Sequence, residues 1–333
     1  MPPPGHEPLL NAIRAQPDDD VLRLAYADWL EENDDPERAA FVRVQCRLAA
    51  LGHGPLWPTP GTHPPLALGG LTAEAAALTR RQVELWAENG EEWLAELPEL
   101  PGCTILFHRG FASSVVAQDN PAGLVRGGRR LLELAPVTQV TFRNCRPEAV
   151  EVTVLRPWFA GVRGLTVSWW GHPAGDEVAG LLGAAEHLTE LRDLSLFAAG
   201  LTDAGAEELA NAPFTRRLTR LDLASNRVGG TGAWAVALAL DPARVTVLDL
   251  SGNPIPARRG RPSASGSATA SPSARTPTRA DRHVRAPPGI ALPVAVAVGV
   301  GRAVPDSAGV ASGTARPTRP TCYTHPSAAL RDD

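Results

Sequence analysis

The chain has 333 residues, long enough for two or three domains, and its 44% hydrophobic fraction would support a real core if it were evenly spread, which it is not. Its formal charge of −4 hides a split: residues 1–255 carry 21 Arg against 32 acids, or −11, whereas residues 256–333 carry 11 Arg against 4 Asp, or +7. An acidic body disfavours nucleic acid as the main partner, because phosphate binding needs a basic patch.

Taken in chain order, the first 51 residues read as three helices. Pro8 to Ala15 is short and stops at Gln16-Pro17; Asp18 or Asp19 then caps a helix on which Leu22, Ala25, Tyr26, Trp29 and Leu30 share one apolar face. Asn33 closes it. Asp35-Pro36 is an N-cap and first-turn pair for the third helix, whose stripe is Phe41, Val44, Leu48 and Leu51. Residues 52–71 are punctuated by Pro and Gly and read as a linker. Thr72 caps a helix carrying Leu78, Leu85 and Trp86, and after Asn89-Gly90 a second, short helix carries Trp93, Leu94 and Leu97. Strands are predicted over Thr104 to Phe107 and Phe111 to Ala117, around His108-Arg109-Gly110, so residues 72–136 read as a cap of helix and strand.

From there the chain repeats. LRDLSLFAAGL from Leu191, LTRLDLASNRV from Leu218 and VTVLDLSGNPI from Val245 share the form LxxLxLxxNxL and start 27 residues apart, with weaker copies at Val137 and Val162. Helical patterns fill the gaps, from Asp203-Ala204-Gly205-Ala206 into Glu207 to Ala210 and from Gly230-Thr231-Gly232-Ala233 into Trp234 to Leu240. In each unit the paired leucines, Leu194 and Leu196, Leu221 and Leu223, Leu248 and Leu250, should point inward, since alternate strand residues share a face and one unit cannot bury that face alone. Asn226 and Asn253 stand where the chain leaves the strand, and Cys145 fills the same slot in the first unit.

These repeats resemble the ribonuclease-inhibitor-like class of leucine-rich repeats, each unit a strand, a turn and a helix. The N-terminal run also carries a resemblance. Asp18 to Asp20, the block Tyr26-Ala27-Asp28-Trp29-Leu30-Glu31, Pro36-Glu37-Arg38 and Phe41-Val42-Arg43-Val44-Gln45 are similar to the repeat-companion domain that precedes leucine-rich arrays in certain bacterial proteins. Asn89-Gly90-Glu91 before Trp93, and Arg109-Gly110-Phe111, fit its usual continuation. The resemblance implies an architecture and supplies no catalytic residues. The expected fold is α/β: a helical domain over residues 1–51, then a short solenoid of about five strand-turn-helix units over residues 137–255.

Residues 256–333 break the pattern where another repeat helix is due. Two readings stand: a basic, disordered extension whose composition cannot bury enough apolar surface to order it, or an out-of-frame translation beginning near Pro254 to Ala257.

The motifs that carry chemistry elsewhere are weak here. Gly230-Thr231-Gly232-Ala233-Trp234-Ala235 has the GxGxxA form with Asp249 further on, as in a dinucleotide site, but Gly232 aligns with Gly205 one repeat earlier, so the glycines read as repeat-turn positions. Glu31-Glu32-Asn33-Asp34-Asp35 lacks the ligand alternation of a calcium loop and reads as a solvated helix end. The cysteines Cys46, Cys103, Cys145 and Cys322 form no CxxC pair, and the histidines form no metal-binding group, so no cofactor or metal is expected. The amino terminus has no basic then apolar leader, and the stretch Ile290 to Val304 is interrupted and shorter than the roughly 20 residues a span needs, so a reducing cytoplasm and no membrane are expected.

What is left is a surface. On the concave sheet the residues between the inward leucines should be exposed, and the candidates for partner binding are Arg143, Trp169, Asp193, Phe197, Arg220, Asp222 and Asp249. Aromatics and Arg are frequent interface anchors, although Asp222 and Asp249 equally satisfy the LDL repeat pattern. The expected function is non-enzymatic binding of a protein or peptide. A hydrolase or dinucleotide enzyme with a non-local site, and a purely structural scaffold, are the alternatives.

Overall fold

Capping residues set the first three helices. In the computed structural model, which describes residues 5–54, 71–168, 174–256 and 296–297, α1 is Glu7–Ala15, α2 Asp20–Glu32 and α3 Pro36–Ala50. The Asp19 carboxylate accepts from the Val21 N–H at 2.8 Å, and that of Asp35 from the Arg38 N–H at 3.1 Å. Ile13, Tyr26, Ala27, Leu30, Ala39, Val42 and Cys46 form a small core that Phe111 of a later strand completes. The expected stripes shift. Ala25 is exposed and Val44 only half-buried, because α3 packs on two sides: Phe41 enters the repeat core, while Val42 and Cys46 face the helical one.

Helix α4 is continuous from Ala73 to Ala95, with the Thr72 hydroxyl accepting from the Ala75 N–H at 3.2 Å. The break expected at Asn89-Gly90 does not occur. Asn89 donates its side-chain amide back to Leu85 O at 3.0 Å, and Gly90 lies mid-helix because a Cβ there would stand 2.7 Å from the Trp86 indole. That glycine makes room for an aromatic cluster, in which Phe41 stands 4.7 Å from Trp93 and Trp86 4.8 Å from Phe107 between ring centroids.

The strands follow as β1 (Cys103–His108), β2 (Phe111–Gln118), β3 (Gln139–Arg143), β4 (Gly164–Ser168), β5 (Asp193–Ser195), β6 (Arg220–Asp222), β7 (Val247–Asp249) and β8 (Val296–Ala297). They form one sheet in sequence order. β1 and β2 are an antiparallel hairpin, and every later pairing is parallel, so parallel pairing reaches back to β2, inside the segment read as a cap. Between strands run α5 (Ala122–Leu134), α6 (Pro147–Val154), α7 (Gly175–Gly183), α8 (Asp203–Asn211) and α9 (Gly230–Ala239), the last two starting at the glycine-containing turns instead of after them. The result is a mixed α/β fold with a largely parallel sheet.

The stacking logic of the repeat is visible in its register. Leu194, Leu221 and Leu248 lie side by side on β5, β6 and β7, and all six paired leucines are buried. Asn226 links neighbours: its carbonyl accepts from the Leu201 N–H at 3.0 Å and its amide donates to Leu196 O at 2.7 Å, one unit back. Asn253 repeats this on Val228 N at 2.9 Å and Leu223 O at 2.7 Å. Cys145 sits in that slot, buried, with its thiol donating to Ala117 O at 3.6 Å.

The linker reading of residues 52–71 and the tail reading of 256–333 lie largely outside the described residues, apart from Val296 and Ala297, which extend the sheet as β8. Among the described residues no helix is long and apolar enough to cross a membrane.

Candidate binding face

Because the leucines take one side of each strand, their neighbours must take the other. Two register rows result: Gln139, Gly164, Asp193, Arg220 and Val247, and beside it Thr141, Thr166, Ser195, Asp222 and Asp249. Their members on β3 to β6 border a groove of about 280 Å³ lined by strand residues alone. Gly164 helps to open it, since a Cβ there would stand 3.0 Å from the Gln139 side chain.

The acids on this face are partly engaged. Asp222 accepts from the Ala224 N–H at 3.0 Å with one oxygen and from the Ser195 hydroxyl at 3.1 Å with the other. Asp249 caps its own turn by accepting from the Ser251 N–H at 2.8 Å, and Asp193 accepts from the Thr219 hydroxyl at 2.8 Å. The LDL pattern thus has a local cause: the carboxylate satisfies the N–H two residues on, where the strand ends. Arg220 is exposed and makes no ion pair among the described residues.

Of the sequence candidates, Asp193, Arg220 and Asp222 line the groove together and Asp249 continues their row on β7. Arg143 is exposed at the end of β3, in register with Ser168, and does not line it. Phe197 is 48% exposed but lies two residues past the end of β5. Trp169 lies outside the described residues. Gln139, Thr141 and Gly164 line the groove without having been singled out; alternation along the weak copy that starts at Val137 was the available signal for the first two.

The GxGxxA segment has a different task. The N–H groups of Gly229 and Gly232, at the start of α9, donate to one carboxylate oxygen of Asp203 at 2.6 and 3.0 Å. One unit earlier, Asp176 accepts from the Thr202 N–H and hydroxyl, each at 2.7 Å. The donors a pyrophosphate would use already hold an internal anion, and a Cβ on Gly232 would stand 2.7 Å from that oxygen. The acidic run behaves as a helix boundary: the Asn33 amide donates to Trp29 O at 2.8 Å, and Asp35 caps α3. Burial pushes the Cys46 and Cys145 thiols up to about 12, so neither is a thiolate near neutrality. Among the described residues no group of three His, Cys, Asp or Glu side chains is placed to hold a metal ion.

Comparison with known proteins bears on the middle of this sheet. No curated protein matches the chain. The Leucine Rich repeat family matches residues 216–237, a span that holds β6, the Asn226 turn and most of α9. The match supports a leucine-rich repeat over residues 216–237, and β6, which presents Arg220 and Asp222 to the groove, is the strand of that segment.

Proposed function

We propose that this chain is a non-enzymatic binding protein of the bacterial leucine-rich-repeat kind, acting in the cytoplasm. In this reading residues 1–51 are a repeat-companion domain, and the parallel sheet is the inner wall of a solenoid that takes an extended peptide or a protein segment. One observation carries it: the groove is floored only by strand residues and mixes the acids Asp193 and Asp222 with the exposed cation Arg220, which makes no ion pair among the described residues. Interior strands spend their backbone groups on each other, so recognition falls to these side chains, and alternating charge suits a polar chain laid across the strands.

The test is a selection of peptides from a displayed random library with the full chain, followed by affinity measurements on Asp193→Arg and Arg220→Asp. Selected peptides should bind each variant at least about tenfold more weakly, about 1.4 kcal/mol, while both variants melt like the wild type. Peptides that bind the variants as well as the wild type would place the site elsewhere.

A further inference from the structure

A second groove lies away from the sheet face. It measures about 640 Å³ and lies where α1, α2, α3, the end of α4, the β1–β2 hairpin and α5 meet, within the size range of small-molecule sites of about 300 to 1,000 Å³. Its walls are apolar, with Leu10, Leu97, Phe107, Phe111 and Leu134 among them. Two of its donors, Arg38 and Tyr26, are largely buried.

Arg38 keeps one unused donor among the described residues, although Glu96 pairs with it electrostatically. Its side chain is only 13% exposed, and its guanidinium lies 4.8 Å over the Trp93 ring and 6.0 Å over that of Phe107. Nη2 comes no closer to Glu96 than 3.9 Å, beyond hydrogen-bond distance, and Nη1 is buried without a hydrogen-bond partner. Stacking fixes the plane of the group, which favours a planar, two-oxygen acceptor. Burial pushes the Tyr26 hydroxyl up to about 12, so it stays a neutral donor. Elsewhere on the groove stand His6, Glu7, Arg14, Glu92, Glu96, Arg130 and Glu133, of which Glu133 is held by Arg129 at 2.9 Å and Arg130 at 3.5 Å. This mixed rim offers no cluster of cations for a bare inorganic anion; the apolar walls supply the rest of the affinity.

We propose that this groove binds a small apolar carboxylate, its hydrocarbon body against Phe107, Phe111 and Leu134 and its carboxylate on Arg38. The proposal is independent of the sheet face, so either reading can fail without the other.

Calorimetry on the full chain with three matched probes tests it: naphthalene-2-carboxylate, the neutral naphthalene-2-carboxamide and the cationic naphthalen-2-ylmethylammonium. The acid should bind at least tenfold more tightly than either of the others. Arg38→Gln should remove that preference while leaving weak binding of the amide. Should Arg38→Gln fail to fold, Ala95→Trp serves instead: Ala95 is an exposed residue on the groove, and a bulky ring there should block all three probes without touching Arg38. The proposal is overturned by no detectable binding of the acid, by equal affinity for acid and amide, by preference for the cation, or by binding that survives Ala95→Trp unchanged.

Discussion

The side-chain carbonyl of Gln45 on α3 accepts a hydrogen bond from the backbone N–H of Gly110, 65 residues away, at 2.7 Å. Around this bond Arg23 donates to Arg109 O at 3.2 Å and to Pro17 O at 2.7 Å, and Arg109 meets Asp20 at 3.3 Å. Two sequence blocks that look unrelated, the Phe41 to Gln45 stretch and Arg109-Gly110-Phe111, are the two halves of one joint. It fastens the helical unit to the first hairpin.

Gly110 should tolerate no side chain. Its φ is +86°, and a Cβ would stand 2.5 Å from Val42 Cγ2 and 2.7 Å from its Cα. Left-handed strain of about 1 to 2 kcal/mol and overpacking of about 1 to 3 together predict a loss of about 2 to 5 kcal/mol for Gly110→Ala. Urea unfolding measures it, and an unchanged midpoint would mean that the joint is looser than described.

Leu221→Ala and Leu248→Ala should each cost about 2 to 5 kcal/mol, the range for emptying a packed core position. Both residues are buried in consecutive register positions, 0% and 4% exposed. Phe197→Ala, by contrast, removes a half-exposed ring beyond the strand end and should stay within about 0.5 kcal/mol. Thermal melts of the three variants distinguish a periodic core from a merely apolar segment.

Asn226→Ala strands the Leu201 N–H and the Leu196 carbonyl inside the fold. Each stranded group costs about 1 to 3 kcal/mol, so the substitution should destabilise as much as a core truncation although it removes no apolar volume. Retention of wild-type stability would show that other donors and acceptors replace the ladder.

Nicotinamide nucleotides should not bind, and Gly230→Val should leave that result unchanged, because Asp203 occupies the α9 donors and would repel a pyrophosphate. Equilibrium dialysis with NAD decides it: saturable binding lost in the variant would reinstate the dinucleotide reading.

Alkaline pH should weaken the fold. Burial raises Cys46, Cys145 and Tyr26 to about 12, so each favours the folded state while neutral. That contribution is whole below the unfolded values, about 8.5 for Cys and about 10 for Tyr, and is lost as pH rises from there toward 12. Melting temperatures should therefore fall above about pH 9, and less steeply in the Cys46→Ala, Cys145→Ala double variant. Parallel slopes would mean that the thiols ionise freely.

By itself the sequence determined the repeat: its 27-residue spacing, the inward leucines, the turn asparagines and the outward placement of Asp193, Arg220 and Asp222. It could, because strand alternation and a fixed period report burial against a neighbour of the same kind, which is a local property. Strand length is not local in that sense, and Phe197 fell beyond β5 because the strand stops at Ser195. Only the tertiary structure decided that α4 runs through Gly90, that Arg23 is buried at 2% exposure, and that Arg38 ends in a cavity under Trp93. Each depends on partners from distant parts of the chain: Trp86 filling the space beside Gly90, carbonyls receiving Arg23, aromatic rings flanking Arg38. A charged residue in a helix reads as solvated until the element that covers it is known, and no periodicity within the helix names that element.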